Sequence, residues 1–176
     1  MMTTLTPRLI WILLAMVSAF IALVSLLLTP WLGLEPCHLC IFQRLLFMLL
    51  ALLAGLAAWV GRPGVPRLIA NLPVTGFLLL AALGSGVAAW QSWLQLQPPT
   101  DSITCVGAQP GLIERLVEWL GQEVPSLFLA TGFCEDAQLS ILGLSLANWA
   151  WIAFTLSLAG AVWLLWRGRR SARQQG

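Results

Sequence analysis

Four long runs nearly free of charge decide what this chain can fold into. Between Leu9 and Leu28 no residue is charged. At about 1.5 Å per helical residue that run is about 30 Å long, the thickness of a bilayer's hydrocarbon core. Similar runs cover about 37–60, 68–94 and 147–166, with Arg44 the only charge inside them. Of the 176 residues 59% are apolar and 9% charged, which excludes a soluble domain of this length. The expected fold is therefore an all-α membrane protein, a four-transmembrane-helix bundle forming a single membrane domain over residues 1–176. The first run exceeds a signal-peptide core, and Ser25–Pro30 lacks a small-x-small cleavage pattern, so it reads as a retained span.

The connections differ in length and sign. Residues 29–36 make a short first loop, 61–67 a tight basic turn rich in Pro and Gly, and 95–146 a long third loop. Arg8, Arg62, Arg67, Arg167, Arg169, Arg170 and Arg173 flank one side. Glu35, Asp101, Glu114, Glu118, Glu123, Glu135 and Asp136 fall in the first and third loops. The positive-inside rule then places both termini in the cytoplasm and the two acidic loops outside. Trp11, Trp59, Trp163 and Trp166 near the inner ends, with Trp31, Trp90, Trp93 and Trp149 near the outer ones, fit aromatic belts. Pro73 is read as interrupting the third span. Small residues at Ala81, Ala82, Gly84, Gly86, Ala88 and Ala89 suit close helix approach in lipid. Within the third loop, Leu112–Leu120 has apolar residues at helical spacing with acids opposite, a short amphipathic helix on the membrane surface.

Chemistry concentrates at Pro36-Cys37-His38-Leu39-Cys40-Ile41-Phe42-Gln43-Arg44. Proline favours a helix's first turn, so a helix starting near Pro36 puts Cys37, Cys40 and Arg44 on one face. A thiolate there lies in the positive field of the helix N-terminus, with a permanent cation one turn below. Local spacing offers the pairs Cys37–Cys40 and Cys105–Cys134. The second closes a loop worth about 3.5 kcal/mol as a plain staple, whereas the first cross-links too little chain to stabilise much and suits redox chemistry. Thiolate and imidazole ligands from Cys37, His38, Cys40, Cys105 and Cys134 would also suit zinc, but an oxidising exterior disfavours free thiolates; no metal is expected. Otherwise His38 reads as a polar loop residue. Arg44 is either an anchor snorkelling to the interface or a partner for an anionic sulfur and the oxygens of a lipid-soluble electron acceptor; its alignment under Cys40 favours the second. Two thiol pairs on one membrane face suggest a relay of thiolate attacks, from a soluble thiol protein to Cys105–Cys134 and then to Cys37–Cys40. Without a haem, flavin or iron–sulfur motif, the electron sink must lie in the membrane.

These residues resemble the bacterial disulfide bond formation protein B (DsbB) family over nearly the whole chain. The likeness rests on Pro36–Arg44, on Leu94-Gln95-Leu96 with Pro98 before Cys105, on Val124–Phe128 leading to Thr131-Gly132-Phe133-Cys134, and on Leu142-Gly143-Leu144 with Trp149. It implies an enzyme of the bacterial inner membrane, a protein-dithiol:quinone oxidoreductase that reoxidises a periplasmic DsbA-like thiol oxidase. It further implies that the partner's thiolate attacks Cys105 and that Cys134, once freed, attacks Cys37. Cys40 then donates to ubiquinone, or to menaquinone in its place, with Arg44 beside the ring oxygen. Where many relatives carry a histidine this chain has Gln91, which donates a hydrogen bond to a quinone carbonyl but carries no proton at neutral pH. Two other readings remain. One is a non-enzymatic four-span scaffold with a stapled outer loop; the other is a related redox enzyme dedicated to a different thiol partner. Because Cys134 must reach Cys37, hinges are expected at Pro98-Pro99 and between Gly107 and Gly111.

Overall fold

The computed structural model describes residues 7–61, 65–96, 111–134 and 139–173. Among these, four helices are long and apolar enough to cross a membrane, so the chain is a multi-pass membrane protein. They are α1 (Pro7–Trp31), α2 (His38–Val60), α3 (Arg67–Leu94) and α6 (Leu146–Arg173). Two shorter helices, α4 (Leu112–Glu123) and α5 (Pro125–Phe128), and a hairpin of β1 (Ser140–Ile141) and β2 (Leu144–Ser145) lie between α3 and α6.

Helix α2 is the centre of the bundle. It packs on α1 on one side and α3 on the other, while α6 packs chiefly on α3 and barely touches α1. Its inward positions are apolar at helical spacing: Leu46, Leu50, Ala54 and Ala57 are buried. Phe47 stacks on Phe154 of α6 with ring centroids 4.0 Å apart, which fixes the level at which α2 and α6 meet across α3. The small-residue stripe of α3 narrows to Ala81, Gly84 and Ala88, which are buried; Ala82, Gly86 and Ala89 face outward. A Cβ on Gly84 would run into the Phe154 ring. In lipid, where apolar burial between helices gains little, such close packing is what holds helices together.

Four expectations need correction. Helix α1 continues through Thr29 and Pro30, placed above in the first loop, to Trp31. A proline in a last turn removes a single N–H. The helix then ends in a Schellman closure, with Leu34 N donating to Thr29 O at 3.0 Å and Gly33 at φ +60°. Pro73 does not interrupt α3, which runs unbroken from Arg67 to Leu94. The last helix carries on into the basic tail, where Arg170 lies 3.5 Å over the Trp166 ring and Arg167 5.0 Å over Trp163. Finally, Trp11 is no lipid-belt residue: it is buried edge-on against Phe77, centroids 5.3 Å apart.

Outside the bundle, α4 lies over the N-terminal end of α2. Val117 and Gly121 face inward, with Gly121 closing on the Phe128 carbonyl. A second apolar row, Leu112, Leu116 and Trp119, stays exposed, as a helix resting on a bilayer surface requires. Glu114 Oε2 accepts from the Gly111 N–H at 2.8 Å and caps the helix start.

Candidate functional site

Cys37 is the N-cap of α2, in extended conformation, and its sulfur accepts from the Cys40 N–H at 3.4 Å. The helix therefore starts at His38, two residues after the expected proline. Pro36 still contributes, because its carbonyl accepts from both Thr131 N (3.0 Å) and Gly132 N (3.2 Å). These bonds dock the segment after α5 against the head of α2 and bring Cys134 onto Cys37. Cys37 then sits between two other sulfurs: Cys40 Sγ is 3.1 Å away, and Cys134 is a hydrogen-bond neighbour on the other side. All three are free thiols. Cys37 is only 2% exposed.

Cys37 and Cys134 do not share one environment. Cys37, donating first to Cys134 and then to Cys40, and buried besides, has its own thiol pushed far up. That donated bond, joined by the backbone at Leu39, holds Cys134 below the usual thiol range against the opposing effect of burial. So the sulfur aimed at Cys37 is the one that ionises most readily of this pair, the arrangement a thiolate attack on Cys37 needs.

Arg44 does not fill the first of the two roles given to it above, that of an anchor at the interface. It is 5% exposed, so its head does not reach the interface. Nε donates to Ser25 Oγ (3.1 Å), Nη2 to Ser25 O (3.2 Å) and Thr29 Oγ1 (2.6 Å), and Nη1 to Leu127 O (3.1 Å). Four of its five N–H groups are thus held by α1 and α5, and its charge acts on Cys40 from that fixed point. The continuation of α1 past Ser25 makes this possible, since Thr29 belongs to the helix.

Gln91, on α3, is 1% exposed and donates to Cys40 Sγ at 3.1 Å and to Cys37 Sγ at 3.4 Å. Its own oxygen accepts from Gln43 Nε2 at 2.7 Å. The structure thus groups Cys37, Cys40, Cys134 and Gln91, with Arg44 one layer beneath; Cys105, Pro98-Pro99 and all of the 107–111 stretch but Gly111 lie outside the described residues. Sequence reading passed over Gln43, Ser25 and Thr29. The available signal was the cost of placing polar side chains within a membrane span, which makes each one a candidate for function.

A cavity of about 340 Å³ adjoins the group, in the gap where α1 and α6 barely touch. Cys40, Arg44, Gln91 and Gln95 form part of its wall, and the exposed residues Phe20 and Trp149 lie at its edge. The volume is in the range of small-ligand sites, roughly 300–1,000 Å³. Gln95 Oε1 is buried with no protein partner among the described residues, an acceptor that a bound molecule could satisfy.

A family model described as Disulfide bond formation protein DsbB matches residues 7–164. The chain is similar to proteins named Disulfide bond formation protein B from several bacteria. With that of Dechloromonas aromatica it shares 45% identity over 148 residues, 84% of this chain and 86% of the relative. With that of Verminephrobacter eiseniae it shares 36% over 170 residues, 97% and 92% of the two chains. With that of an Azoarcus species it shares 41% over 140 residues, 78% and 79%.

Proposed function

This chain belongs to the DsbB family and is a membrane oxidoreductase acting on disulfides, and from that premise we propose that it passes electrons from a periplasmic DsbA-like thiol oxidase to a membrane quinone. In this reading the partner's dithiol attacks Cys105 of a Cys105–Cys134 disulfide and leaves as a disulfide. Cys134, released as a thiolate, attacks Cys37 of a Cys37–Cys40 disulfide, and Cys40 departs as a thiolate. The freed Cys105 thiolate then attacks Cys134, re-forming Cys105–Cys134 and releasing Cys37, so that the electron pair rests on the Cys37 and Cys40 thiols, from which a quinone would take it. Overall, a dithiol and a quinone give a disulfide and a hydroquinone, with two electrons and two protons moved. The observation that carries the proposal is the seating of Cys134 on Cys37 while Cys40, on the other side, lines a cavity at the helix gap.

The residues present fit a quinone head group. Arg44 keeps one N–H not taken by the described acceptors, Gln91 lines the cavity with its amine turned to the two sulfurs, and Gln95 Oε1 is an orphaned acceptor suited to a hydroxyl. A quinone would supply the two-electron sink that the chain itself lacks. Ubiquinone is the first choice and menaquinone the alternative. The chain's residues hold the sulfur anion, fix its position and keep bulk water from Cys37. The placement of the charges supports an inner-membrane orientation with both termini cytoplasmic and the cysteines periplasmic.

The test uses purified protein, a reduced DsbA-like protein and a soluble ubiquinone analogue, following quinone reduction. Wild type turns over and Cys40→Ser does not. Full turnover by Cys40→Ser means the electron path is assigned wrongly.

A further inference from the structure

We propose that Gln43 is a positioning residue for the Cys40 thiolate: it locks the Gln91 carboxamide in the one orientation that presents N–H rather than oxygen to the sulfur. The inference rests on the reading that Cys40 is the electron-donating thiol.

A carboxamide has two ends of nearly equal shape, one donating and one accepting. Left alone, Gln91 could present either to Cys40. An N–H stabilises a sulfur anion, and an oxygen repels it. The choice is made one residue further on, where Gln43 Nε2 donates to Gln91 Oε1 at 2.7 Å, so the oxygen is taken and the amine faces Cys40 Sγ at 3.1 Å. Both amides are buried, so water offers neither a cheap substitute. They come from different helices, α2 and α3, whose packing sets the separation.

Direct bonding from Arg44 does not do this work. Its described hydrogen bonds go to Ser25, Thr29 and Leu127 rather than to sulfur, so its help to Cys40 acts through space. The donors in contact with Cys40 Sγ are Gln91 and the Cys37 thiol. Neither amide titrates between pH 2 and 12. The support they give the anion is therefore constant with pH, unlike that of an imidazole, which changes its charge near neutrality.

The experiment compares the rate of Cys40 alkylation against pH in reduced, quinone-free protein, with Cys40→Ser identifying the labelled site. Gln43→Leu frees Gln91 to turn and slows Cys40 labelling at pH 7 about tenfold, the effect of weakening one hydrogen bond to a charged group. Gln43→Glu, whose carboxylate would accept from the Gln91 amine and turn its oxygen toward sulfur, slows labelling further. Profiles coinciding with wild type in either folded variant overturn the proposal. Should neither variant fold, nitrogen-15 spectra of wild type decide: the Gln91 side-chain amide signals must move as Cys40 ionises, and signals that stay fixed overturn it. Quinone turnover by Cys40→Ser, by contrast, sinks the electron path and leaves the labelling result standing.

Discussion

The Arg44 guanidinium donates to Thr29 Oγ1 at 2.6 Å, tying the second turn of one spanning helix to the last turn of another. Thr29 in turn donates to Ser25 O at 2.8 Å, so the acceptor is itself held in place. Together with the bond to Leu127 O, this makes one buried cation the meeting point of α1, α2 and the segment that presents Cys134.

Thr29→Val keeps the side-chain shape and removes the acceptor. A buried donor left unpaired costs about 1–3 kcal/mol. The melting temperature in detergent should fall by several degrees, at about 2–4 °C per kcal/mol for a chain of this size. An unchanged value shows that Arg44 needs no anchorage at Thr29.

Removing the donor to Cys134 tests the sulfur pair. Cys37→Ala takes away the hydrogen bond that holds Cys134 below the usual thiol range. Its thiolate fraction at pH 7 therefore falls, and alkylation of Cys134 in the reduced protein should slow several-fold. In wild type, labelling should decline only as pH drops below the normal thiol range. Equal rates in the two proteins remove the proposed activation.

Gly84→Val places methyl groups where the Phe154 ring lies. Overpacking of this kind costs about 1–3 kcal/mol, and Phe154→Leu in the same chain should recover part of the lost melting temperature. If the double variant is no better than the single one, the contact is not what limits stability.

Filling the cavity should separate quinone use from thiol exchange. Ala150 and Ala153 on α6 line it. Ala150→Phe should raise the KM for a quinone analogue about tenfold or more, equivalent to about 1.4 kcal/mol. Exchange with the reduced partner protein should keep its wild-type rate. A KM that does not move places the acceptor elsewhere.

The spanning helices were legible because lipid imposes a simple rule, long apolar runs without charge; α1 follows it directly, and α2 departs from it only at Arg44. The limits of the helices were less so. Pro30 reads as a loop residue on local propensity, yet it sits in the last turn of α1, where Thr29 is engaged by Arg44 from another helix. The hairpin at Ser140–Ser145 gave little signal, since its turn uses Leu142 at φ 55° before Gly143, where Asn or Asp would be usual. Gln43 was invisible for a different reason: its role exists only through Gln91, 48 positions away. Spacing along one helix reveals which side chains share a face, and nothing in it names the partner across the gap.

Cys37 lies nearly sealed between two sulfurs. With 2% of its surface exposed, it offers little to a small thiol dissolved in the surroundings and is placed to exchange with the neighbours that the fold supplies. A junction built this way is guarded against stray reductants, and in the proposed relay that would reserve the carrier's oxidising power for the protein that docks outside.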